Sequence, residues 1–557
     1  MKKIFSGVVC CVVFCLLSIG MTWGAEFCVD PGGGGTYTDL QAALTAAMGY
    51  PESNTIKVVQ GTYTGNFISV AASGYSTTLL GGYTAGCDSR AINPSLTILD
   101  GDSSGKVLVV DNVDGGNIWI DGFTIQHGDA ASPGAGIFAI TSTGAGTAGS
   151  ITITNNIIRQ NSSSNAGGGV YANSGATSSG TAGNIFIMSN IITDNSATNN
   201  GGGVQAVSYS NAGTAGKVLF VNNIVTGNSS GNFGGGIAAQ SSSNTGVAGT
   251  VNLTNNTITG NDADDGGGAA LIVSGSSGGI INCYNNIIQG NTATYAKDIN
   301  LGKGSGSVAN GYNNDYADMG MESWTNSGNN INADPRFVGS GDYHLRPSSP
   351  CIDTGFNGSP NLPSYDIEGN YRIMDGNNDG KTIVDMGAYE YWSNVHCVTN
   401  AEELQSALTA AQSNSEEDTI KVVQGTYSGN FLYSTGEGRG IILLGGYTAG
   451  CGTRVVNPEN TILEGIHLNL NRVLNLYNYS GDIIVEGFTM RKGEGGGISA
   501  ESVSSSGQSG TIIITNNIIT QNTPADSLSG GGVKVRSHSL SGRTGAILIT
   551  NNTITEN

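Results

Sequence analysis

The stretch NNIIRQN, residues 155–161, decides the fold, because it does not occur once. SNIITDN follows from Ser189, NNIVTGN from Asn222, NNTITGN from Asn255 and NNIIQGN from Asn285. The phrase comes back as NNIITQN from Asn516 and NNTITEN from Asn551. Within each run, successive copies begin 30–35 residues apart. A second phrase keeps step with it: glycine triplets start at Gly167, Gly201, Gly234, Gly266, Gly495 and Gly530. Self-similarity at such a period marks a solenoid, in which each repeat buries its apolar face only against its neighbours.

The apolar runs inside each repeat are short, rich in Val, Ile and Thr, and bounded by Gly and Asn, so they read as strands. In ITITNNII (residues 151–158), Ile151 and Ile153 share one face and Thr152 points away, the period of a half-buried strand. The Asn pair falls between two strand pieces. Asn tolerates the left-handed conformation, its amide bonds backbone at a bend, and stacked copies can form an amide ladder. The expected fold class is therefore all-β: a right-handed parallel β-helix of coils stacked at ~4.8 Å. A β-sandwich of short even strands leaves the recurring phrase unexplained. With 88 Gly, 7% aromatic and 11% charged residues in 557, the chain suits a narrow core of stacked aliphatics.

IKVVQGTYTGNF from Ile56 returns as IKVVQGTYSGNF from Ile420, and LLGGYTAGC ends at both Cys87 and Cys451. The chain thus starts one solenoid, finishes it and starts another. Each start carries a helix-like stretch, TYTDLQAALTAA from Thr36 and NAEELQSALTAA from Asn400. Leu40 and Leu44, like Leu404 and Leu408, fall on one helical face, and Asn400 with Glu403 spells a capping box. Such helices would cover the open end of a solenoid. The expected segments are 1–25, a secretory signal peptide; 26–333, a first β-helix; 334–392, a closing segment; and 393–557, a second β-helix. With two copies of the Asn phrase and no closing segment, that second β-helix reads as cut short or covered by something outside it.

Lys2 and Lys3 precede an apolar stretch over residues 4–19, with small residues at Gly24 and Ala25, as in an export signal cleaved after one of them. No later stretch is long enough to span a membrane. Cys28 and Cys87 hold the same places as Cys397 and Cys451, so the pairs Cys28–Cys87 and Cys397–Cys451 are expected as disulfides. Cys283 and Cys351 are left paired together or free. The net charge of −20 weighs against nucleic acid and anionic membranes as partners. The chain reads as secreted, extracellular or displayed on the outer cell surface.

From Asp334 the glycine triplets vanish and prolines gather. The elements DP-F, YHL-P-SP-ID-G, D-GN-R and VD-GAYEY, in that order over residues 334–391, resemble the choice-of-anchor Q domain of secreted bacterial β-helix proteins. IKVVQGTYTGNF resembles the opening coil of the pectin lyase-like superfamily. The resemblance implies fold and export, and it does not imply an enzyme. Within the closing segment, Asp375, Asn377 and Asp379 place oxygen ligands at alternate positions before a turn glycine, the start of a calcium loop. Met386 stands where such a loop needs its bidentate carboxylate, and Asp385 is one place early. These four residues form the candidate calcium site; the plain alternative is a tight turn.

For catalysis, lyases of this superfamily need acidic residues holding calcium and a basic residue on one sheet face, and hydrolases need paired carboxylates. The best local cluster, Asp262, Asp264 and Asp265, is expected in a solvated turn. The five histidines, His127, His344, His396, His467 and His538, share no motif. Arg491-Lys492 aligns with Gln126-His127, so the duplicates are expected to share no chemistry there. Polar loops such as SYSNAGTAG (residues 208–216) should project from successive repeats as a stripe suited to sugars or another surface. The reading therefore leans away from catalysis, towards an adhesion, carbohydrate-binding or structural protein. A calcium-dependent polysaccharide lyase or a glycoside hydrolase is the alternative.

Overall fold

The computed structural model describes residues 24–557 apart from 72–73, 114, 340, 347–348, 370–371, 375, 378–380, 392–394, 413–417, 437, 452–453, 467–470, 506 and 525–529. The signal-peptide reading of residues 1–25 falls almost wholly outside them. The chain divides into two compact units, Met1–Met374 with Thr382–Tyr391, and Asp375–Lys381 with Trp392–Asn557. Each is a right-handed parallel β-helix. Among the described residues no helix is long and apolar enough to cross a membrane.

In the first unit each coil gives one strand to each of three long sheets. Sheet 1 has eleven strands, from Ala25–Val29 to Asn326–Gly328. Sheet 2 has nine, from Gly61–Thr64 to Asp315–Tyr316, and sheet 3 nine, from Phe67–Ala71 to Met319–Gly320. A six-stranded sheet of short strands, Asp129–Ala130 to Thr292–Tyr295, turns each coil between sheets 2 and 3. The register places like on like. Ile118, Ile151, Ile185, Val218, Val251 and Ile281 are aligned partners on successive strands. All six are at most 1% exposed. Each such burial stabilises by roughly 1.5–3 kcal/mol.

The asparagine phrase divides its labour. The first position is left-handed: Asn155, Asn222, Asn255 and Asn285 have φ of 52, 63, 53 and 56°. The second position forms the ladder. Asn156, Asn190, Asn223, Asn256, Asn286 and Asn314 each donate Nδ2 to the Oδ1 of the next at 2.9–3.1 Å, ending on Asn330. The seventh position builds a second ladder, Asn161, Asn195, Asn228, Asn261 and Asn291, which ends on the carboxylate of Asp298. Both ladders begin where Phe123 and Gly128 stand in for Asn and offer only backbone N–H groups to Asn156 and Asn161. Of the glycine triplets, Gly201 needs its φ of 65°, and a Cβ on Gly202 would lie 2.2 Å from the carbonyl of Ser229.

Helix α1 (Leu40–Met48) is capped by Asp39, whose side chain accepts from Ala42 N, and buries Leu40, Ala43, Leu44 and Ala47. Its Gln41 does a further task. Gln41 Nε2 donates to Ile68 O at 2.9 Å and Gln41 Oε1 accepts from Ile68 N at 2.7 Å, satisfying the outermost strand of sheet 3. The Cys28–Cys87 disulfide joins the first strand to the turn after Thr77–Tyr83, the third strand of sheet 1. The first unit also has one antiparallel hairpin, Phe337–Gly339 with Asp342–Leu345, in its closing segment.

The second unit repeats the plan with six-, five- and four-stranded sheets. Helix α2 (Ala401–Ala410) is capped by Asn400, which accepts from Glu403 N. The Glu403 carboxylate reaches Thr399 N at 2.6 Å, one residue earlier than a capping box requires. Gln405 brackets Leu432 as Gln41 brackets Ile68, and Cys397–Cys451 is closed. Cys283 and Cys351 are buried and neither is in a disulfide.

Candidate functional site

Three regions of the first unit hold concentrated chemistry, and the first lies on the outer face of sheet 2. Asp100 ends the strand Thr97–Asp100; in register beside it come Gln126 and then Arg159. The next residue, His127, is left-handed at φ 55°, which turns its ring back towards Asp100. His127 Nδ1 lies 3.1 Å from both Asp100 oxygens, and Nε2 lies 3.1 Å from Gln160 Oε1. Gln126 Nε2 donates to Asp100 at 2.7 Å, and Arg159 Nε donates to Gln126 Oε1 at 2.9 Å. Burial works to raise the Asp100 pKa. Hydrogen bonds from Gln126, from Asp102 N and from His127 outweigh it and hold the carboxyl below its ordinary range. Asp100 therefore stays ionised and orients the imidazole.

The equivalent place in the second unit holds Glu464, 3.3 Å from Arg491 Nε and 2.5 Å from Lys492 Nζ. Lys492 is left-handed at φ 61°, like His127. The hydrogen bond from Lys492 is the largest cause of a lowered Glu464 pKa. The expectation that these duplicates share no chemistry is thus corrected. Both place a carboxylate at a strand end against a basic side chain on the left-handed residue of the next coil. Sequence reasoning missed the pairing because Asp100 and His127 lie one coil apart in the chain.

The second region is the outer face of sheet 3. Phe138 and Tyr171 are register partners whose rings stack at 5.5 Å, and Gln205 follows in the same row. The neighbouring rows carry Asn173 and Gln240, and Ser142, Tyr209 and Ser242. The polar loops after these strands stack from coil to coil with Asn211, Ala212 and Thr214 exposed, and Asn244 Nδ2 donates to Asn211 Oδ1 at 2.9 Å between neighbouring loops, while the serines that end the strand turn inward. Ser208 Oγ accepts from Gly216 N and donates to Gly183 O, and Ser210 Oγ accepts from Gly213 N. Both serines are 0% exposed, and Thr181, Thr214 and Val247 bridge in parallel from loop to loop. The hydroxyls of Ser208 and Ser210, at the end of the strand Val204–Ser210, are thus spent on backbone beneath the exposed loop.

The third region is the closing segment, which straps the side of the β-helix. It docks on the first Asn of four phrases. Asn222 meets Arg372, Asn255 Nδ2 donates to Asp385 O, Asn285 Oδ1 accepts from Phe356 N, and Asn313 Nδ2 donates to Thr354 O. Arg372 is 1% exposed and pairs with Glu390 at 3.5 Å. Asp385 is 0% exposed, and its carboxylate accepts from Asp353 N and Tyr391 N. Burial drives the Asp385 pKa up to about 8 and pushes that of Glu390 well above its ordinary value. His344 bonds Asp342 at 2.6 Å and Glu368 at 3.1 Å and stacks on Tyr389 at 3.8 Å. Burial opposes its charge, yet Glu368 and Asp342 raise its pKa to about 9.

Of the candidate calcium ligands, Asp375 and Asp379 lie outside the described residues, as does His467 among the histidines. Asn377 is described, and Asp385 sits in the strap as above. Among the described residues no group of three or more His, Cys, Asp or Glu side chains is placed to hold a metal ion. Asp262, Asp264 and Asp265 are not in a turn but in the strand Asp262–Asp265, where Asp262 and Asp264 face outward. His396 is buried, 3.4 Å from Asp418, and His538 lies in the strand Val533–Ser539.

No family model matches the chain, and no curated protein matches it. Among solved structures it is similar to the PL6 family alginate lyase AlyGC, at 10% identity and a TM-score of 0.14, covering 95% of this chain and 100% of that one. A point mutant of the same enzyme aligns at 9% identity and a TM-score of 0.13, with the same coverage. At those TM-scores the alignments carry no weight, and the fold stands on the parallel sheet topology.

Proposed function

We propose that the chain is an exported extracellular or cell-surface β-helix protein that binds carbohydrate on the outer face of sheet 3, in an adhesive or structural role. The carrying observation is that face itself, where Phe138, Tyr171, Asn173, Tyr209 and Gln240 stand in register rows of rings and amides. Flat aromatic edges beside side-chain amides are the composition that sugar recognition uses. The two disulfides suit an oxidising compartment, and the charge of −20 suits a soluble exported chain. Membership of the pectin lyase-like superfamily, with a choice-of-anchor Q closing segment, is part of the same reading. A glycan array probed with the full exported chain tests it. Binding that disappears with Tyr171→Ala supports the assignment, and an array without signal sinks it.

A second reading, polysaccharide cleavage by a lyase or hydrolase, is favoured by the cluster of Asp100, His127 and Arg159. Its imidazole is oriented by a carboxylate beside an exposed guanidinium, the parts of a general base and an anion clamp. Depolymerisation of a polysaccharide panel, lost in His127→Ala and Asp100→Asn, would establish it in place of binding alone. If product forms only with added calcium, the candidate ligands Asp375, Asn377, Asp379 and Asp385 become the first to mutate.

A further inference from the structure

We propose that a notch above Gly175, on the outer face of sheet 3, is a subsite for one neutral pyranose stacked on Tyr209; this rests on the carbohydrate-binding reading above. Register sets Ser142, Gly175, Tyr209 and Ser242 in one outward row. Gly175 lies inside the strand Val170–Ala176, where glycine weakens a sheet. Nothing in the fold demands it. Its φ is not positive, and a Cβ built on it meets no atom nearer than Asn173 Oδ1 at 3.9 Å. Gly202, by contrast, has backbone 2.2 Å from such a Cβ. A strand glycine without a steric reason marks a place kept open for an approaching group.

The opening measures about 300 Å³, the lower end of ligand sites, and is lined by Ile140, Ser142, Asn173, Thr177, Val207 and Tyr209 among others. Phe138 and Tyr171 cover one another, whereas Tyr209 has no side chain on its Gly175 side to stack against. Its ring is held in place at the hydroxyl, which accepts from Asn244 Nδ2 at 2.6 Å. An uncovered aromatic face beside Ile140 and Val207 suits the C–H face of a pyranose, and Asn173 and Ser142 offer an amide and a hydroxyl to its rim. No charged group lines the notch, and the chain carries −20, so an anionic sugar gains nothing here and is repelled at range.

The test is isothermal titration of the full chain with cellotetraose, mannotetraose, galactotetraose and tetragalacturonate. The expected result is binding of at least one neutral tetrasaccharide in preference to tetragalacturonate. Gly175→Val, which fills the notch with a residue that favours strands, should weaken that binding by about tenfold or more. Its melting temperature should stay level or rise, so loss of binding there is not loss of fold. Tyr209→Ala should weaken it comparably. Undiminished binding in both variants overturns the notch and leaves the carbohydrate reading standing. Preference for tetragalacturonate overturns the neutral class. Silence of the wild-type chain towards all four overturns the notch, and only an empty glycan array extends that failure to the reading beneath it.

Discussion

The two units solve the opening of a β-helix identically and diverge along its sides. In both, a glutamine on the capping helix brackets one residue of an edge strand, Gln41 on Ile68 and Gln405 on Leu432. In both, an arginine three residues past the cysteine turns back to a glycine carbonyl and an acid. Arg90 meets Gly81 O and Asp121, and Arg454 meets Gly445 O and Glu486. Each guanidinium also faces a tyrosine ring, at 5.8 Å in the first unit and 5.7 Å in the second. Along the sides the pattern breaks: among the described residues only the first unit has a strap, and the outer acid–base pair changes from Asp100–His127 to Glu464–Lys492. The difference separates demands of the fold, met by one set of contacts, from surface that the fold leaves open to other uses.

The largest effect expected from breaking this comparison is at the disulfides. They close loops of sequence separation 59 and 54, so the loop-closure account gives nearly equal stabilisation, about 4 kcal/mol each. Replacing Cys28 and Cys87 by Ser, or Cys397 and Cys451, should lower hydrogen-exchange protection of the adjoining coils by similar amounts. A twofold or greater disparity would mean the two openings are not equivalent.

Next in size is the ladder, where the units are expected to differ. Asn223 is an interior rung: it donates to Ile187 O, Val221 O and Asn256 Oδ1 and accepts from Asn190. Asn223→Ala strands buried partners on both sides and should cost about 3 kcal/mol. Asn552, on the last described coil of the second unit, accepts from Asn517 and donates to Ile514 O. Asn552→Ala should cost about 1 kcal/mol. Chemical denaturation of the two variants, read by exchange at the flanking coils, checks the ratio. Smaller again, Gln41→Ala and Gln405→Ala should each cost about 1–2 kcal/mol, because each exposes one edge N–H and one C=O to imperfect solvation. Equal fraying of Phe67–Ala71 and Phe431–Thr435 is the expected readout.

These cases also show how far the sequence could be read. The period of the phrase and the aliphatic alternation carried the fold, since stacking requires like residues at like places. The division of labour among the asparagines was not legible. Asn155 and Asn156 are the same residue type, and only the backbone tells which is left-handed and which enters the ladder. The seventh-position ladder stood in plain view as the last letter of NNIIRQN, yet without geometry that Asn reads as a turn residue. The stretch GFTIQHG from Gly122 is the same phrase in disguise, with Phe123 replacing the ladder Asn by bulk that closes the stack. Composition marks residues 208–216 as polar, and only the stack shows that Ser208 and Ser210 turn their hydroxyls inward while Asn211, Ala212 and Thr214 stay exposed. Asp100 and His127 meet across one coil, and nothing local marks a pairing of that range.

A final contrast tests the strap, the feature without a counterpart among the described residues of the second unit. Asp385 titrates near 8 when folded against an ordinary 3.8, so the folded strap holds a proton that the unfolded chain has released. Its contribution declines as pH rises from about 4 to 8. His344 titrates near 9 against 6.5, so its contribution is complete below 6.5 and is lost as pH passes 9. Both signs point the same way: between pH 6 and pH 9 residues 353–391 should loosen from Asn222, Asn255, Asn285 and Asn313. In the second unit Glu464 and Glu486 titrate below their ordinary 4.5, so what they contribute is fully present above it and flat over the same range. Hydrogen exchange corrected for the intrinsic pH dependence of amide rates should therefore show protection falling with pH in the strap and level around residues 461–491. His344→Ala should remove the slope above pH 8 and lessen it between pH 6.5 and 8, leaving the part below pH 6.5, which Asp385 sets. A strap whose protection is independent of pH, or a second unit that loosens in parallel, would mean that buried carboxylates and the His344 clamp do not govern how the segment holds to the coils.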